Sequence, residues 1–420
     1  MKKVLIITYY WPPSGGPGVQ RVLKFCKYLP KYGWQPVILT VKDGEYPARD
    51  ETLLSESIDM ETHLSDAFSF YSIFNWFTGE KSVPLHQLSK SKDDSFFKKI
   101  SRWIRYNLVV PDGRIGWYSG AVKKGRKLLD SEKFDLIFSS GPPHSVHLIG
   151  LKLAKKSGTK WVADFRDPWT DMFYYSENKR LRAAELLDRY LEKQVVDNAD
   201  ALITVSRSIS EYYDRDVTVI PNGYDESDFA LIENSGGKNN LISYVGTMYK
   251  SQNTEKFFDS VNELNKLSSN KYKINLIGHI HPDIVRYITS NNYGSFIKIK
   301  PYIHHKESII KMVESEFLLL VIPNTKKNSG VVTGKIFEYI RSGSKILMIG
   351  PLDSDAAKII NETNSGYCFD YNDMSNLGTI LSNKKILNSI DYSHYSRVSL
   401  TKKLVGIFNK TIKGSTNINV

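Results

Sequence analysis

Cysteine is scarce in this sequence, with two residues, Cys26 and Cys368, among 420. They lie far apart and in no metal-site spacing, so the sequence predicts neither a disulfide framework nor a zinc site. No apolar run approaches the ~20 residues that a membrane-spanning helix requires. The N-terminal MKKVLII resembles a signal peptide only superficially, because its apolar core is four residues long and polar Thr8 follows. We therefore expect a protein of the reducing cytoplasm.

Acidic residues are outnumbered: 45 Asp and Glu oppose 57 Lys and Arg, and the formal net charge is +12. The excess is concentrated at residues 81–130, where twelve basic residues oppose four acidic ones and leave +8. Such a segment suits nucleic acid, an anionic membrane surface or a phosphate-bearing substrate. Of these partners we expect the membrane surface and the phosphate-bearing substrate, and no nucleic acid.

The stretch TYYWPPSGGPGVQRVLKF (residues 8–25) separates a strand from a helix. The apolar run at residues 4–7 is typical of a buried strand, and residues 19–26 follow the spacing of a one-faced helix. Prolines and glycines make the loop between them tight and poor in side chains. In open α/β sheets, ligands bind at this edge, so we expect Gly15 and Gly16 on the acceptor side of a site. The alternative is a strained turn with no further role.

Strand and helix signals alternate along the rest of the chain, which predicts parallel sheets covered on both faces. The rhythm stops at PNGYDESDF (residues 221–229) and at the polar IENSGGKNN (residues 232–240), and then restarts. The sequence therefore predicts two doubly wound, Rossmann-like α/β domains, residues 1–222 and 223–395, facing each other across a cleft. Residues 42–94 are interpreted as an irregular insertion. The predicted strands are residues 4–7, 35–41, 134–140, 160–165, 200–206, 217–220, 241–246, 272–278, 296–300, 316–322 and 345–350, and the main predicted helices are residues 146–156, 179–196 and 399–412.

The stretch NSGVVTGKIFEYIRSGSKILMIGP (residues 328–351) places a glycine-containing loop before a helix. Thr333 is a predicted N-cap, and the free backbone N–H groups of such a helix start form an anion site together with the helix dipole. Lys335 and Glu338 share a helix face. A cation beside the amides suits a diphosphate, and a carboxylate one turn on suits two sugar hydroxyls. The alternative is a surface ion pair on an ordinary helix.

Several motifs, taken in order, resemble those of a known family, the nucleotide-sugar glycosyltransferases of family four, which have the GT-B fold. The glycine loop after the first strand is one of them. IPNGYD (residues 220–225) resembles the family's interdomain crossover, SYVGTMYK (residues 243–250) the start of its donor domain, and GKIFEYIRSGSKIL (residues 334–347) its donor-binding helix. The last helix, within residues 396–420, resembles the one that packs back on the N-terminal domain. The resemblance covers nearly the whole chain.

The resemblance implies an enzyme that moves a sugar from a nucleotide diphosphate sugar to a hydroxyl, with retention of configuration and with neither metal ion nor cofactor. PDGRIGWY (residues 111–118), SSGPPHSVHLIG (residues 139–150) and ADFRDPW (residues 163–169) are similar to a bacterial branch that builds cell-surface polysaccharides. We therefore expect a saccharide or lipid-linked saccharide as the acceptor. The implied donor-binding residues are Gly246, Thr247, Lys250, Tyr302, Ile303, Val331, Val332, Thr333, Lys335 and Glu338.

The sequence departs from the family at three donor positions. Many relatives carry Glu, seven residues and a second Glu; the second matches Glu338, which the resemblance assigns to the donor ribose, and the first falls at Gly330. Relatives also carry an Arg directly after the glycine that matches Gly246 and a Lys five residues later, where this chain has Thr247 and Gln252. The usual cationic pair for the leaving diphosphate is therefore missing. The candidates to replace it are Lys250, Arg166 and, at the helix start, Lys335.

The motif ADFRDPW follows a strand signal, and we expect Asp164, Arg166 and Asp167 to point into the cleft. A carboxylate there suits proton transfer from an acceptor hydroxyl, and Arg166 suits bidentate phosphate binding. The predicted catalytic residues are thus Asp167, Arg166 and Lys335. The alternative is an Arg–Asp pair that rigidifies the loop, with Trp169 as packing. His144, at the end of the neighbouring strand, is a further predicted acceptor contact, although a lone histidine is more often structural.

The stretch SFFKKISRWIRYNLVV (residues 95–110) is predicted to form an amphipathic helix that lies in a membrane interface. Its apolar stripe and its mainly opposite basic side consist of Phe97, Ile100, Ile104 and Leu108 and of Lys98, Lys99, Arg102 and Arg105. We therefore expect a peripheral protein on the inner face of the plasma membrane. The alternative is an ordinary helix packed on the sheet of the first domain, with a solvated basic face.

Two other functions fit the same sequence observations. The first is another enzyme on the same fold, either a nucleotide-sugar epimerase or a sugar phosphorylase. The second is a non-catalytic protein that binds polyanions through the basic segment, which the missing cationic pair favours. An epimerase changes the sugar without an acceptor, a phosphorylase needs free phosphate, and a polyanion binder shows steep salt dependence without binding a nucleotide sugar.

Overall fold

The structure is a computed structural model. It describes residues 1–46, 48–68, 103–171, 180–230, 232, 240–269, 271–382 and 390–414. The chain divides into two compact units. Unit 1 comprises Met1–Pro221 and the chain from Leu400 onward, and unit 2 comprises Asn222–Ser399.

Unit 1 is built on a seven-stranded parallel sheet with the strand order β3-β2-β1-β4-β5-β6-β7. Its central strands are rich in apolar residues, as expected for strands that are covered on both faces, and β4 and β5 are buried at every residue. The strands are β1 Lys2–Ile7, β2 Trp34–Val41, β3 Thr62–Ser65, β4 Leu136–Gly141, β5 Trp161–Phe165, β6 Ala201–Thr204 and β7 Val217–Val219. Among the described residues before unit 2, the α-helices besides the helical residues 103–107 are α1 Pro17–Tyr28, α2 Leu54–Ser57, α3 Tyr118–Ser131, α4 Ser145–Ser157, α5 Arg182–Asn198 and α6 Arg207–Ser210.

Unit 2 contains a second parallel sheet, of six strands in the order β10-β9-β8-β11-β12-β13. The strands are β8 Leu241–Val245, β9 Lys273–Ile277, β10 Ile297–Lys300, β11 Phe317–Val321, β12 Lys345–Ile349 and β13 Gly366–Phe369. The helices are α7 Glu255–Leu267, α8 Pro282–Ser290, α9 His305–Val313, α10 Lys335–Ser342, α11 Asp355–Glu362 and α12 Leu377–Ser382. The doubly wound α/β fold class predicted from the sequence is confirmed.

The last helix, α13 (Arg397–Lys413), ends in unit 1. Leu400, Leu404 and Phe408 are buried in the unit 1 core. The Phe408 ring lies 5.2 Å from the Trp34 ring and 5.5 Å from the Phe138 ring, centroid to centroid. The apolar stripe of α13 therefore packs into the core of unit 1, as the resemblance implies.

Each predicted strand is present, but two further strands were not predicted. Residues 42–94 are not uniformly irregular, because β3 lies within them and pairs in parallel with β2, with Thr62 opposite Ile38. β13 pairs with β12 at the far edge of the second sheet. Both are four-residue edge strands, and edge strands expose one side and need no continuous apolar run.

Three sequence hypotheses fall partly outside the described residues. Residues 69–94 of the insertion, residues 95–102 of the amphipathic stretch and residues 233–239 of the linker are not described. The described end of the amphipathic stretch is helical at residues 103–107. Within the described parts of the chain, no helix is both long enough and apolar enough to cross a membrane.

Candidate active site

Each sheet has one point where the strand order reverses, and ligands of open α/β sheets bind beside the strand ends there. In unit 1 that point lies between β1 and β4, and in unit 2 between β8 and β11. The predicted site residues of each unit follow these strands. Gly15 and Gly16 follow β1 and His144 follows β4, whereas Gly246 follows β8 and the loop to α10 follows β11.

The start of α10 presents free backbone N–H groups at the reversal point of unit 2. The earliest amide that donates within its first turn is that of Ile336, to the Thr333 carbonyl at 3.2 Å. The prediction of Thr333 as the N-cap is wrong, because Gly334 holds that position. Gly334 directly precedes the first residue of α10, is helical, with φ −58° and ψ −27°, and has no side chain, so the start of the helix has no side-chain cap. Thr333 Oγ1 is buried and has no hydrogen-bond partner among the described residues.

Lys335 carries a cation to the end of β8. Its Nζ lies 3.4 Å from Tyr244 Oη and 4.6 Å from the centroid of the Tyr244 ring. A Cβ at Gly246 would lie 2.2 Å from that Nζ, and the backbone there has φ +128°. Glycine is therefore required at residue 246 for its conformation, and the Lys335 ammonium lies in the space that a Cβ there would fill.

Glu338 lies one turn further along α10 and pairs with a residue that the sequence analysis missed. Its Oε1 lies 2.9 Å from Nε2 of His305, the first residue of α9. The two side chains are 22% and 20% exposed, so each keeps a solvent-facing edge. Lys335 and Glu338 thus have separate partners, Tyr244 and His305. The surface ion pair that stood as the alternative is not the arrangement found.

The positions where family members carry the cationic pair have other roles here. Thr247 is exposed. Gln252 is buried; its Oε1 accepts a hydrogen bond from the Tyr249 N–H at 2.8 Å, and its Nε2 donates to the Val321 carbonyl at 2.6 Å. Gln252 therefore fixes the loop after β8 to the end of β11. Lys250 is 74% exposed and pairs with Asp283 at 2.8 Å, which leaves Lys335 as the cation beside Gly246.

The remaining predicted donor residues line the same edge of unit 2. Ile303, Val331 and Val332 are partly buried against one apolar cluster. Tyr302 is half exposed, and its ring stacks on that of His279, with 6.3 Å between centroids and 19° between planes. Residues that are far apart in sequence thus meet beside the ends of β8, β10 and β11.

In unit 1, Asp164 is a core residue, and the expectation that it points into the cleft is wrong. It lies within β5 and is fully buried, as is its partner Arg21. Arg21 Nε and Nη2 donate to the two carboxylate oxygens at 2.9 and 2.8 Å, and Ser140 Oγ donates to Oδ2 at 2.7 Å. The carboxylate is satisfied by this network, which ties α1 to the sheet.

Arg166 explains one glycine of the opening loop. Its guanidinium donates through Nε to the Gly141 carbonyl at 3.0 Å and through Nη2 to the Pro142 carbonyl. A Cβ at Gly18 would lie 2.1 Å from Nη1. Gly18 therefore makes room for Arg166 where α1 begins, while Gly16 adopts φ +102° just before that helix. Because Nε and Nη2 each donate to a backbone carbonyl, Arg166 fixes the loops after β4 and β5. A bidentate phosphate contact by Arg166 stays a prediction.

Asp167 follows Arg166 and is only partly buried. Burial raises the pKa of Asp167, and the positive charge of Arg166 partly opposes that rise. The loop that carries it is anchored to α5, because Trp169 Nε1 donates to Asp188 Oδ1 at 2.7 Å and Thr170 Oγ1 donates to Glu192 Oε2 at 2.5 Å. No local sequence pattern indicates this anchoring, because Asp188 and Glu192 lie 19 and 22 residues from their partners.

His144 lies beside this loop as a buried stacking residue. Its ring stacks on that of Trp169 with 4.9 Å between centroids and 12° between planes. Burial lowers the pKa of His144 well below the usual histidine range, and neighbouring His147 and Arg166 lower it further. The imidazole is therefore neutral near pH 7, and 5% of the residue is exposed.

The model of the family described as Glycosyltransferase Family 4 matches residues 18–228. That span is half of the chain, and the chain belongs to this family. A search of the curated proteins finds no match.

The fold is similar to that of several solved structures over nearly the whole chain. Sucrose-phosphate synthase from Thermosynechococcus elongatus superposes with a TM-score of 0.63 at 12% identity, covering 97% of this chain and 98% of that one. HepE of Anabaena in complex with UDP superposes with a TM-score of 0.62 at 11% identity, covering 97% of this chain and 100% of that one. The lipopolysaccharide outer core galactosyltransferase WaaB superposes with a TM-score of 0.55 at 12% identity, covering 97% of this chain and 99% of that one. With the family match, these likenesses make the protein a glycosyltransferase of the two-domain GT-B type.

Proposed function

We propose that the enzyme transfers a sugar from a nucleotide diphosphate sugar to a hydroxyl of a saccharide acceptor, with retention of configuration and without a metal ion or cofactor. The observation that carries this proposal is the position of Lys335. Its ammonium lies against Gly246 and Tyr244 at the start of a helix whose first amides are free. A cation and a helix N-terminus together suit a diphosphate.

The donor fits the neighbouring residues. Glu338 receives the ribose hydroxyls, and His305 holds its carboxylate from the other side. Ile303, Val331 and Val332 supply apolar contacts beside the anion site. HepE, a structural neighbour, has been solved with UDP and with UDP-glucose, which supports a nucleotide diphosphate sugar as the donor class and puts uridine first in a panel.

The chemistry follows from the two sets of residues. The bond between the anomeric carbon and the diphosphate oxygen breaks, and the acceptor oxygen bonds to the same carbon from the face that the diphosphate leaves, which retains the configuration. Lys335 and the amides of α10 stabilise the charge that develops on the departing diphosphate. Asp167 takes the proton of the acceptor hydroxyl, and Arg166, which donates to the Gly141 carbonyl, fixes the loop that presents Asp167.

The acceptor is a saccharide of a bacterial cell-surface polysaccharide, carried on a lipid. The motifs of residues 111–118, 139–150 and 163–169 support this class. WaaB, a structural neighbour, is named for the lipopolysaccharide outer core.

A panel of uridine and guanosine diphosphate sugars tests the proposal. One nucleotide sugar should raise the melting temperature more than its free sugar, because the diphosphate engages Lys335 and the α10 amides. Sugar transfer should then require a saccharide acceptor. Conversion of the sugar without an acceptor would instead establish the epimerase alternative, and a requirement for free phosphate would establish the phosphorylase.

Lys335→Ala and Glu338→Ala should each weaken donor binding by about 10- to 100-fold, the effect of losing a charge-assisted hydrogen bond worth about 1.5–3 kcal/mol. Calorimetric titration with the donor from the panel measures the change. The matched controls are Lys358→Ala and Glu362→Ala, a lysine and a glutamate on α11 that are 62% and 60% exposed. Unchanged donor affinity in both Lys335→Ala and Glu338→Ala would refute the assignment of this site.

A further inference from the structure

A basic groove runs along the outer side of α3 and α4 of unit 1. The two helices approach closely, since a Cβ at Gly125 of α3 would lie 2.5 Å from Leu153 Cδ1 of α4. Their outer faces therefore form one continuous surface. The groove between them has a volume of about 480 Å³.

The charge of this groove is almost entirely positive. Its lining includes the cations Lys123, Arg126, Lys127, Lys152 and Lys156 and a single acid, Asp130, which pairs with Arg126 at 3.7 Å. The five cations are exposed, and α4 contains no acidic residue. Three of these cations belong to the basic segment of residues 81–130 that the sequence analysis singled out.

The spacing of the cations indicates an external anionic partner. Lys123 and Lys127 are four residues apart on α3, and Lys152 and Lys156 are four apart on α4. Like charges at this spacing destabilise a helix. Among the residues that line the groove, Asp130 is the one negative charge against the four lysines and Arg126. The arrangement is therefore unfavourable alone and favourable against a surface of negative charge.

We propose that this groove docks the protein on an anionic phospholipid bilayer. Four of the five cations are lysines, compact charges on flexible stems that suit the mobile phosphates of lipid headgroups, whereas bidentate recognition of a fixed phosphate favours arginine. The side chains span two parallel helices, so they meet an extended surface rather than one phosphate. Each Lys or Arg close to an anionic membrane strengthens binding about fivefold. The inference concerns unit 1 alone and does not depend on the donor chemistry proposed for unit 2.

The test is co-sedimentation of the full chain with vesicles of phosphatidylcholine alone and of phosphatidylcholine mixed with phosphatidylglycerol, at low and high salt. The groove variant carries Lys123→Gln, Arg126→Gln, Lys127→Gln, Lys152→Gln and Lys156→Gln. A control of equal charge change in unit 2 carries Lys256→Gln, Lys266→Gln, Lys273→Gln, Lys298→Gln and Lys358→Gln. Two partial variants, one with the α3 changes and one with the α4 changes, guard against a folding defect in the fivefold variant.

Wild type and the unit 2 control should bind the vesicles that contain phosphatidylglycerol but not those of phosphatidylcholine alone. They should release the anionic vesicles at high salt. The groove variant should bind at least 100-fold more weakly, and the partial variants should lie in between. Transfer to a soluble acceptor should be the same in all of them, which separates this result from a failure of the proposed function. Wild-type binding by the groove variant, or no binding by wild type, overturns the proposal. So does tighter binding of single-stranded RNA than of anionic vesicles, since the groove would then serve a nucleic acid.

Discussion

Arg21→Ala should lower the free energy of unfolding by about 3–5 kcal/mol, because it leaves a buried carboxylate without its counter-charge. Arg21 and Asp164 are both fully buried and joined by two hydrogen bonds. Arg21 Nη1 also donates to the Pro221 carbonyl at 3.0 Å, where the chain leaves unit 1. The substitution therefore loosens α1, β5 and the end of the unit together.

Urea denaturation followed by circular dichroism measures this loss. Arg207→Ala is the matched control, since Arg207 pairs with Glu211 at 2.9 Å but is 76% exposed, and it should change the free energy by less than about 1 kcal/mol. The double variant Arg21→Met with Asp164→Leu should recover much of the loss, because it removes both charges. Equal effects of Arg21→Ala and Arg207→Ala would show that the buried pair does not hold unit 1.

Most strands of the two sheets could be predicted from the sequence, because buried parallel strands have short, mainly apolar sequences. LISYVG, predicted as a strand at residues 241–246, is β8 at Leu241–Val245. EFLLLVI, predicted at residues 316–322, is β11 at Phe317–Val321. The missed strands β3 and β13 lie at sheet edges, where half-exposed residues such as Thr62 and Gly366 interrupt the apolar signal.

The candidate site could be predicted by residue type but not by contact. Gly246 and Lys335 were predicted separately, and only the folded chain shows that the lysine occupies the space that the missing Cβ leaves. His305 carries no motif of its own, and its partner Glu338 lies 33 residues away.

Asp164 was wrongly predicted to point into the cleft. A carboxylate at a strand end has the same sequence signal whether it faces a ligand or, as here, an arginine beneath a helix. The partner, Arg21, lies 143 residues away, so no local pattern connects the two.

Asp167→Asn should cut sugar transfer by about 100- to 10,000-fold, the usual contribution of a general acid or base. Donor affinity should stay close to that of wild type, because the donor residues Lys335 and Glu338 belong to unit 2. The substitution keeps the shape of the side chain and removes its capacity to accept the acceptor's proton. The loop that carries it remains anchored through Trp169 and Thr170 to α5.

The pH profile separates a base from a packing residue. Burial raises the pKa of Asp167 above the usual 3.8. The ionised form that accepts a proton is then lost at higher pH than for an exposed aspartate. Wild-type turnover should fall as the pH decreases through that raised pKa, and Asp167→Asn should lack this acid limb. Turnover at saturating donor, measured from pH 4 upward alongside the melting temperature, tests both. Asp197→Asn, an exposed change on α5, should match wild type throughout, and wild-type turnover in Asp167→Asn would make Asp167 a packing residue.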